Sequence, residues 1–313
     1  MSSLLTNSTA MTALQTLRSV SSQLSTTQNR ISTGQRVSTA SDNAAYWSIA
    51  TSMRSDNAAL AAVSDSLGLS AATVDTEYTA LTTAIGDSTS GLTKLQALLV
   101  EAKTAGVDRT KIQADVTQIQ QQLKSTAGAA TFNGINWLSI DTSSGSTATP
   151  TSFNLVSSYS RVGGTPTIGS ITVTTANYAL YTTGGATKTG ILDTVTGTGS
   201  TAASVDTIAI GALTDSAADQ TTLDGYIKQV TTAINTVASA AANLGAVKNR
   251  LSTNTEFVQS LMDSVDRGIG QLVDADMNKE STRLAALQVQ QQLGVQALSI
   301  ANNSSQSILS LFR

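Results

Sequence analysis

Three groups of residues have the types and spacing from which chemistry can be built. Asp274, Asp276 and Glu280 lie within two helical turns, a spacing that carboxylates of a cation site can have. Asp75 and Glu77 are close enough in sequence for a general acid and base. Gly197-Thr198-Gly199 resembles the opening of a phosphate-cradling loop. Each group has a plainer reading. Metal cages need ligands converging from a loop, so the first three read as helix charges pairing with Arg267, Lys279 or Arg283. Helix positions two apart do not face each other, which separates Asp75 from Glu77. The glycine pair lacks a following Gly-Lys-Ser/Thr and reads as a turn. The chain contains no His and no Cys. Their absence removes thiol nucleophiles, disulfides, zinc sites built on either residue, and every His-based triad. No catalytic residue, cofactor or metal ligand is expected, and the chain does not read as an enzyme.

The composition points to an interface rather than a compact core. Of 313 residues 40% are hydrophobic, but only 4% are aromatic and 12% charged, against a usual charged share of about 25%. Aromatic side chains normally dominate core energetics, and here they are scarce. The net charge of −3 and scattered Lys and Arg argue against nucleic acid. No apolar window of ~18 residues exists, so membrane insertion is not expected. Residues 1–10 carry no basic region followed by an apolar stretch, so they do not read as a Sec signal.

The elements that must position any functional surface are long helices. From Leu223 an apolar stripe runs through Ile227, Val230, Ile234, Val237, Ala241, Leu244, Lys248, Leu251, Thr255, Val258, Met262, Val265, Ile269 and Leu272 in alternating steps of four and three. A 3.5-residue repeat of this kind is a coiled-coil seam. Fifty residues of it would make a rod of roughly 75 Å. The stripe then slips by one residue to Val273, Met277, Glu280, Leu284, Leu287, Gln291, Gly294, Leu298, Ala301, Ser305, Ile308 and Phe312. A joint is expected at Gly268 and Gly270, which are costly inside a helix. The N-terminal part mirrors this with Ala10, Leu14, Leu17, Ser21, Leu24, Gln28 and Ile31, interrupted at Gly34. A second run extends from Ile49 to Val74, and Asp108 should cap a shorter helix carrying Ile112, Val116, Ile119 and Leu123. Between the helical zones, half of residues 141–220 are Ser, Thr or Gly. Residues 152–156, 168–173 and 207–210 read there as strands, and Phe132-Asn133-Gly134-Ile135 as a turn. The fold class is therefore mainly α. The chain folds back so that its long terminal helices pair as a coiled coil, with a β-hairpin and a small β region at the sequence centre. The outermost helices carry weak stripes and need partners to pack against.

At this point specific residues resemble a known family, the bacterial flagellins. Residues 29–37, Asn-Arg-Ile-Ser-Thr-Gly-Gln-Arg-Val, followed by Ala40-Ser41-Asp42-Asn43-Ala44-Ala45, are similar to its N-terminal signature. Ile112 to Gln118 and Phe132-Asn133-Gly134 match its middle segment. Asn249-Arg250-Leu251, Asp274-Ala275-Asp276, Gln290 to Gly294 and the closing stretch from Ala301 to Arg313 match its C-terminus. The resemblance implies a subunit that polymerises head-to-tail into the flagellar filament used for swimming. It implies three regions: an inner helical filament core from 1–42 and 273–313, a helical bundle with a β-hairpin from 43–150 and 206–272, and a surface-exposed β region from 151–205. Its implied partners are further copies of the chain, co-assembling flagellins, the flagellar cap, hook-associated proteins, an export chaperone and the type III export apparatus. The implied location is the extracellular filament, reached through the flagellar channel. A hook–filament junction protein shares such terminal helices, but continuous matches at both ends favour the filament subunit. A metallopeptidase carried in the centre would need His. A secreted adhesin or coiled-coil effector would leave the paired terminal motifs unexplained.

The expected polymerisation core is Leu14, Leu17, Leu24, Ile31, Leu284, Leu287, Leu298 and Ile308. Arg30, Arg36, Asp42, Asn43, Tyr46, Trp47, Asp274 and Asp276 are expected at the joint or between subunits. Tyr46-Trp47 reads equally as an inter-subunit contact and as core packing at the joint. The pair stands where the family usually has Gly-Leu, and Ser41 and Asn43 replace its Lys and Asp, so weak recognition by the plant receptor for this segment is expected.

Overall fold

The computed structural model describes residues 7–143, 149–162, 165–184 and 187–311, with the side chains at 162, 200 and 304–311 outside the described set. It divides into two compact units, one of residues 1–58 with 261–313 and one of residues 59–260.

In the first unit, helix α1 (Ser8–Thr33) starts where the Asn7 side chain accepts from the Ala10 N–H. It stops at Gly34, whose φ of +70° is open to glycine at little cost. Helix α2 (Ala44–Ile85) begins after Asn43, whose Oδ1 accepts from the Tyr46 N–H. Toward the C-terminus, helix α5 (Ala217–Val273) is followed by helix α6 (Met277–Leu311). Asp276 caps α6 by accepting from the Asn278 and Lys279 N–H groups. The joint expected at Gly268 and Gly270 therefore lies later, at 274–276, and both glycines sit inside α5. A Cβ at Gly268 would lie 2.8 Å from Met53 Cε, so there the residue serves close packing against α2.

The two chain breaks are bonded to each other. Gln35 and Asp274 form an isolated antiparallel bridge. The Arg36 N–H donates to the Val273 carbonyl at 2.6 Å, and the Ala275 N–H to the Gly34 carbonyl at 2.9 Å. Beyond this staple α1 and α6 run antiparallel. Asn7 Nδ2 donates to the Ala301 carbonyl, Arg30 pairs with Glu280, and a Cβ at Gly294 would lie 3.1 Å from Leu17 Cδ1.

The second unit contains residues 59–85 of α2, helix α3 (Gly91–Ala102), helix α4 (Arg109–Ala129) and residues 217–260 of α5. Asp108 caps α4 as expected, accepting from Thr110 and Lys111 N–H. Along α5, Leu223, Val230, Val237, Leu244, Leu251 and Val258 are all buried, each seven residues from the last. The buried line resumes at Val273, Glu280 and Leu287, displaced by the one-residue slip that the sequence carries. Lys248 in this stripe is exposed and pairs with Asp75 of α2 while lying over the Tyr78 ring.

The central zone holds two small sheets. Strands β2 (Ser152–Val162) and β3 (Thr165–Thr174) form an antiparallel hairpin with an irregularity between Val156 and Ser158. Strands β1 (Ser139–Asp141) and β4 (Tyr181–Thr183) pair in parallel. Asn133 and Gly134, both at positive φ, close the expected turn between Phe132 and Ile135. The third expected strand is absent. Residues 205–207 form a 3-10 turn, and Ile208 and Ile210 are buried without a β partner. Side chains of α4 supply their backbone bonds instead. Gln120 donates to the Val205 and Ile208 carbonyls, and Gln113 accepts from the Ile210 N–H.

Candidate polymerisation surface

The seam between α1 and α6 keeps four of its seven expected positions on α1. Ala10, Leu17, Leu24 and Ile31 are half-buried as the stripe predicts. The alternate positions are Ala13, Val20 and Thr27 rather than Leu14, Ser21 and Gln28, and Val20 and Thr27 are the buried residues of the helix. The helix turns one residue away from the side its leucines suggest. Leu14 is thereby left outside the seam, 38% exposed. On α6 the inward line is Glu280, Leu284, Leu287, Gln291, Gly294, Leu298 and Ala301. The side chain of Ile308 lies outside the described residues.

Glu280 departs from its expected role. It is 7% exposed and pairs with Arg30 of α1 at 3.2 Å, not with Arg267, Lys279 or Arg283. The reason is its phase, because it falls seven residues after the buried Val273. Asp274 and Asp276 are exposed and serve the joint through the bridge and the α6 cap. Asp42 accepts from the N–H groups of Ser38 and Thr39, which holds its carboxyl below the usual carboxylate range. Arg36 donates to the Leu272 carbonyl and lies 5.9 Å from the Tyr46 ring centre. Tyr46 and Trp47 are both exposed, so core packing at the joint is not their role within one chain. Among the described residues, no three His, Cys, Asp or Glu side chains are placed to hold a metal ion, and no helix is long and apolar enough to cross a membrane.

What sequence reasoning missed is the outer side of this unit. Met11 on α1, and Val289, Leu293, Val295 and Ile300 on α6, are more than half exposed, with Ile300 at 69%. Ile49 of α2 joins them at 49%, beside Tyr46 and Trp47. Exposed apolar residues set singly need no explanation, but a helix apolar on both sides needs two partners. Helix α6 finds one partner in α1 through its inner line and has none on the other side among the described residues. The signal was present as a second apolar series, Val289, Leu293 and Ile300, on the helix opposite the expected stripe.

Comparison with known proteins bears on what covers that side. The profile of the bacterial flagellin N-terminal helical region matches residues 4–142, and that of the bacterial flagellin C-terminal helical region matches residues 227–312. Flagellin C of Rhizobium meliloti strain 1021 is 45% identical, with all of both chains covered. A flagellin of Brucella melitensis biotype 1 is 46% identical over the whole of both chains, and Flagellin A of Rhizobium meliloti 40%.

Proposed function

Because the chain belongs to the bacterial flagellins, we propose that the outer apolar side of α1 and α6 is where further copies of the same chain pack in a growing flagellar filament. The chain is a structural subunit of that filament and not an enzyme. The observation that carries the packing proposal is the two-sided apolar character of α6, with Leu293 and Ile300 exposed opposite the line that meets α1. A surface that repeats on every copy and meets a different surface on the next builds an open polymer where the rotation between copies does not close into a ring. In this reading residues 1–42 and 273–313 form the filament core, residues 43–150 and 206–272 the surrounding bundle, and residues 151–205 the solvent-facing surface. Leu14, exposed on α1, belongs with the inter-subunit contacts, as do Tyr46 and Trp47. Leu17, Leu24, Ile31, Leu284, Leu287 and Leu298 build the two-helix unit that those contacts hold.

Export through the flagellar channel, addition under a cap, contacts with hook-associated proteins and a chaperone, co-assembly with related flagellins and an extracellular location extend the same reading. They are supported by family membership.

Sedimentation and electron microscopy of the purified chain after addition of filament seeds test the proposal. Long uniform filaments are expected from the full chain, and none from Leu293→Glu or Ile300→Glu. Normal filaments from both variants would remove α6 from the contact. A chain that never extends from flagellar filament seeds would instead favour a junction role.

A further inference from the structure

We propose that Asn133 is a site of spontaneous covalent modification, where the side-chain amide is lost as ammonia through a cyclic imide formed with the Gly134 nitrogen. The claim concerns the chemistry of one turn and stands whether or not the outer surface of α1 and α6 is the filament contact.

Asn133 is the one asparagine of the chain that a glycine follows. Attack of a backbone nitrogen on the preceding side chain is hindered by the attacking residue's own Cβ, and glycine has none. Both residues are exposed, at the tip of the turn between α4 and β1. Phe132 and Ile135 close that turn, each N–H donating to the other's carbonyl at 2.9 Å. Among the described residues neither the Gly134 N–H nor the Asn133 side-chain amide is held by a hydrogen bond. A Cβ built at Gly134 would meet nothing within 4 Å, so the space around the reacting nitrogen is open.

The backbone is also close to the one the ring demands. Asn133, at φ +50°, is the only non-glycine residue at positive φ among the described residues. With Gly134 at φ +78° it forms a type I′ turn. A five-membered ring puts Asn133 Cβ and the Gly134 nitrogen on the same side of the Cα–C bond. For an L residue that sets ψ at about −120°, the value of the first central residue in a type II′ turn. Types I′ and II′ share positive φ at this residue and both join hairpins. Flipping the single peptide unit between 133 and 134 therefore reaches the ring geometry while Phe132 and Ile135 stay paired. Gly134 takes the accompanying change to negative φ at little cost. Asn136 is the contrast. Its side chain is bonded to the Ala127 carbonyl and to the Leu138 and Ser139 N–H groups, and the nitrogen that follows it, that of Trp137, donates to Glu77.

In the reaction the Gly134 nitrogen gives up its proton and bonds to Asn133 Cγ as the Cγ–Nδ2 bond breaks. Nδ2 leaves with that proton as ammonia. Water then opens the imide. Opening at Cγ leaves an aspartyl side chain on an unchanged backbone. Opening at the backbone carbonyl carbon leaves an isoaspartyl link, in which the chain runs through Cγ. Both products place a new negative charge on the turn, and the second lengthens its backbone by a carbon.

The test holds the folded full-length chain in mildly alkaline buffer, which favours loss of the Gly134 proton, beside a sample in urea. Trypsin cuts after Lys124 and Arg161, which puts Asn133, Asn136 and Asn154 in one peptide. Fragment mass spectrometry of the folded sample should show loss of the amide at 133 alone, as a mixture of aspartyl and isoaspartyl products, at a rate no lower than in urea. Hydroxylamine, which cleaves a chain at a cyclic imide, should cut the folded chain between residues 133 and 134. Asn133→Gln, whose ring would need six members, should lose both the conversion and the cut with its circular dichroism unchanged. The proposal is overturned if the folded chain keeps its amide at 133 longer than the chain in urea, or if Asn136 or Asn154 is converted as fast. It is equally overturned if the aspartyl form is the sole product, if hydroxylamine leaves the folded chain whole, or if Asn133→Gln is cut as readily.

Discussion

Glu77 lies inside the second unit with one carboxylate oxygen accepting from the Trp137 N–H at 2.8 Å and the other without a partner among the described residues. Burial raises its pKa from 4.5 to about 8, against the opposing effect of that single N–H. The folded chain thus keeps a proton that the unfolded chain releases above about 4.5. Stability from this residue is whole below that pH and is lost as pH rises through about 8. Glu77→Gln, which keeps the acceptor for Trp137 and cannot ionise, should flatten the decline in urea midpoint between pH 5 and 8. An unchanged slope would show that the carboxyl stays charged in the fold. The opposite sign holds for Asp42, Asp87, Asp141, Asp215 and Asp219, each held below its usual range by hydrogen-bond donors, so their contribution is lost on acidification. Arg109 is a buried cation whose partners are specific. It donates to the Ala102 and Leu213 carbonyls and pairs with Asp215, tying the α3–α4 loop to the segment before α5. Arg109→Met should destabilise this unit by about 3 kcal/mol in urea unfolding, chiefly by leaving buried carbonyls unpaired.

At the scale of elements, the helices differ in how far hydrophobic pattern alone decides their orientation. Helix α5 was legible because six Leu and Val positions seven apart, each buried, all report the same side. Helix α1 was not, since Ala13 and Thr27 contribute to its seam although neither stands out in the sequence, while Leu14 does and faces outward. Burial of Glu280 was equally hidden, because no pattern of residue types announces that a charge will be covered by Arg30 across 250 positions of sequence. Residues 207–210 alternate as a strand would, but Gln113 and Gln120 meet their backbone groups from α4, and no β partner is needed. The cap at Asp108 was readable because capping is local. Asp108→Ala should destabilise α4 by about 1 kcal/mol, read as a lower urea midpoint. Leu298→Asp or Leu17→Asp should block filament growth by placing a charge in the α1–α6 seam, with the circular dichroism of the second unit unchanged. Normal filaments from either would argue that the seam is dispensable.

For the whole molecule, the division into two units predicts two unfolding behaviours. Residues 59–260 contain most of the fully buried large side chains, including Trp137, Leu67, Leu81, Leu92 and Leu180, whereas in α1 only Val20 and Thr27 are buried. Removal of residues 1–33 and 277–313 should therefore leave a soluble, cooperatively melting fragment that does not extend seeds. A fragment that melts without cooperativity would show that the arms stabilise the second unit. Family membership could be read from the terminal motifs. The outer surface of α6 emerged only once α1 was seen to occupy the other side.

The short bridge at Gln35 and Asp274, with Arg36 and Gly34 bonded to Val273 and Ala275, has a consequence for how the arms come into being. Two helices that leave neighbouring points on such a staple have an effective concentration for each other far above any that separate chains reach. Neither gains much from forming alone, since its stripe is weak and isolated helices are marginal. Order in one arm is thus conditional on order in the other, and the pair behaves as a single switch. Loss of α1 alone should abolish the helicity of α6, so a nick near residue 34 disarms both ends of the chain at once.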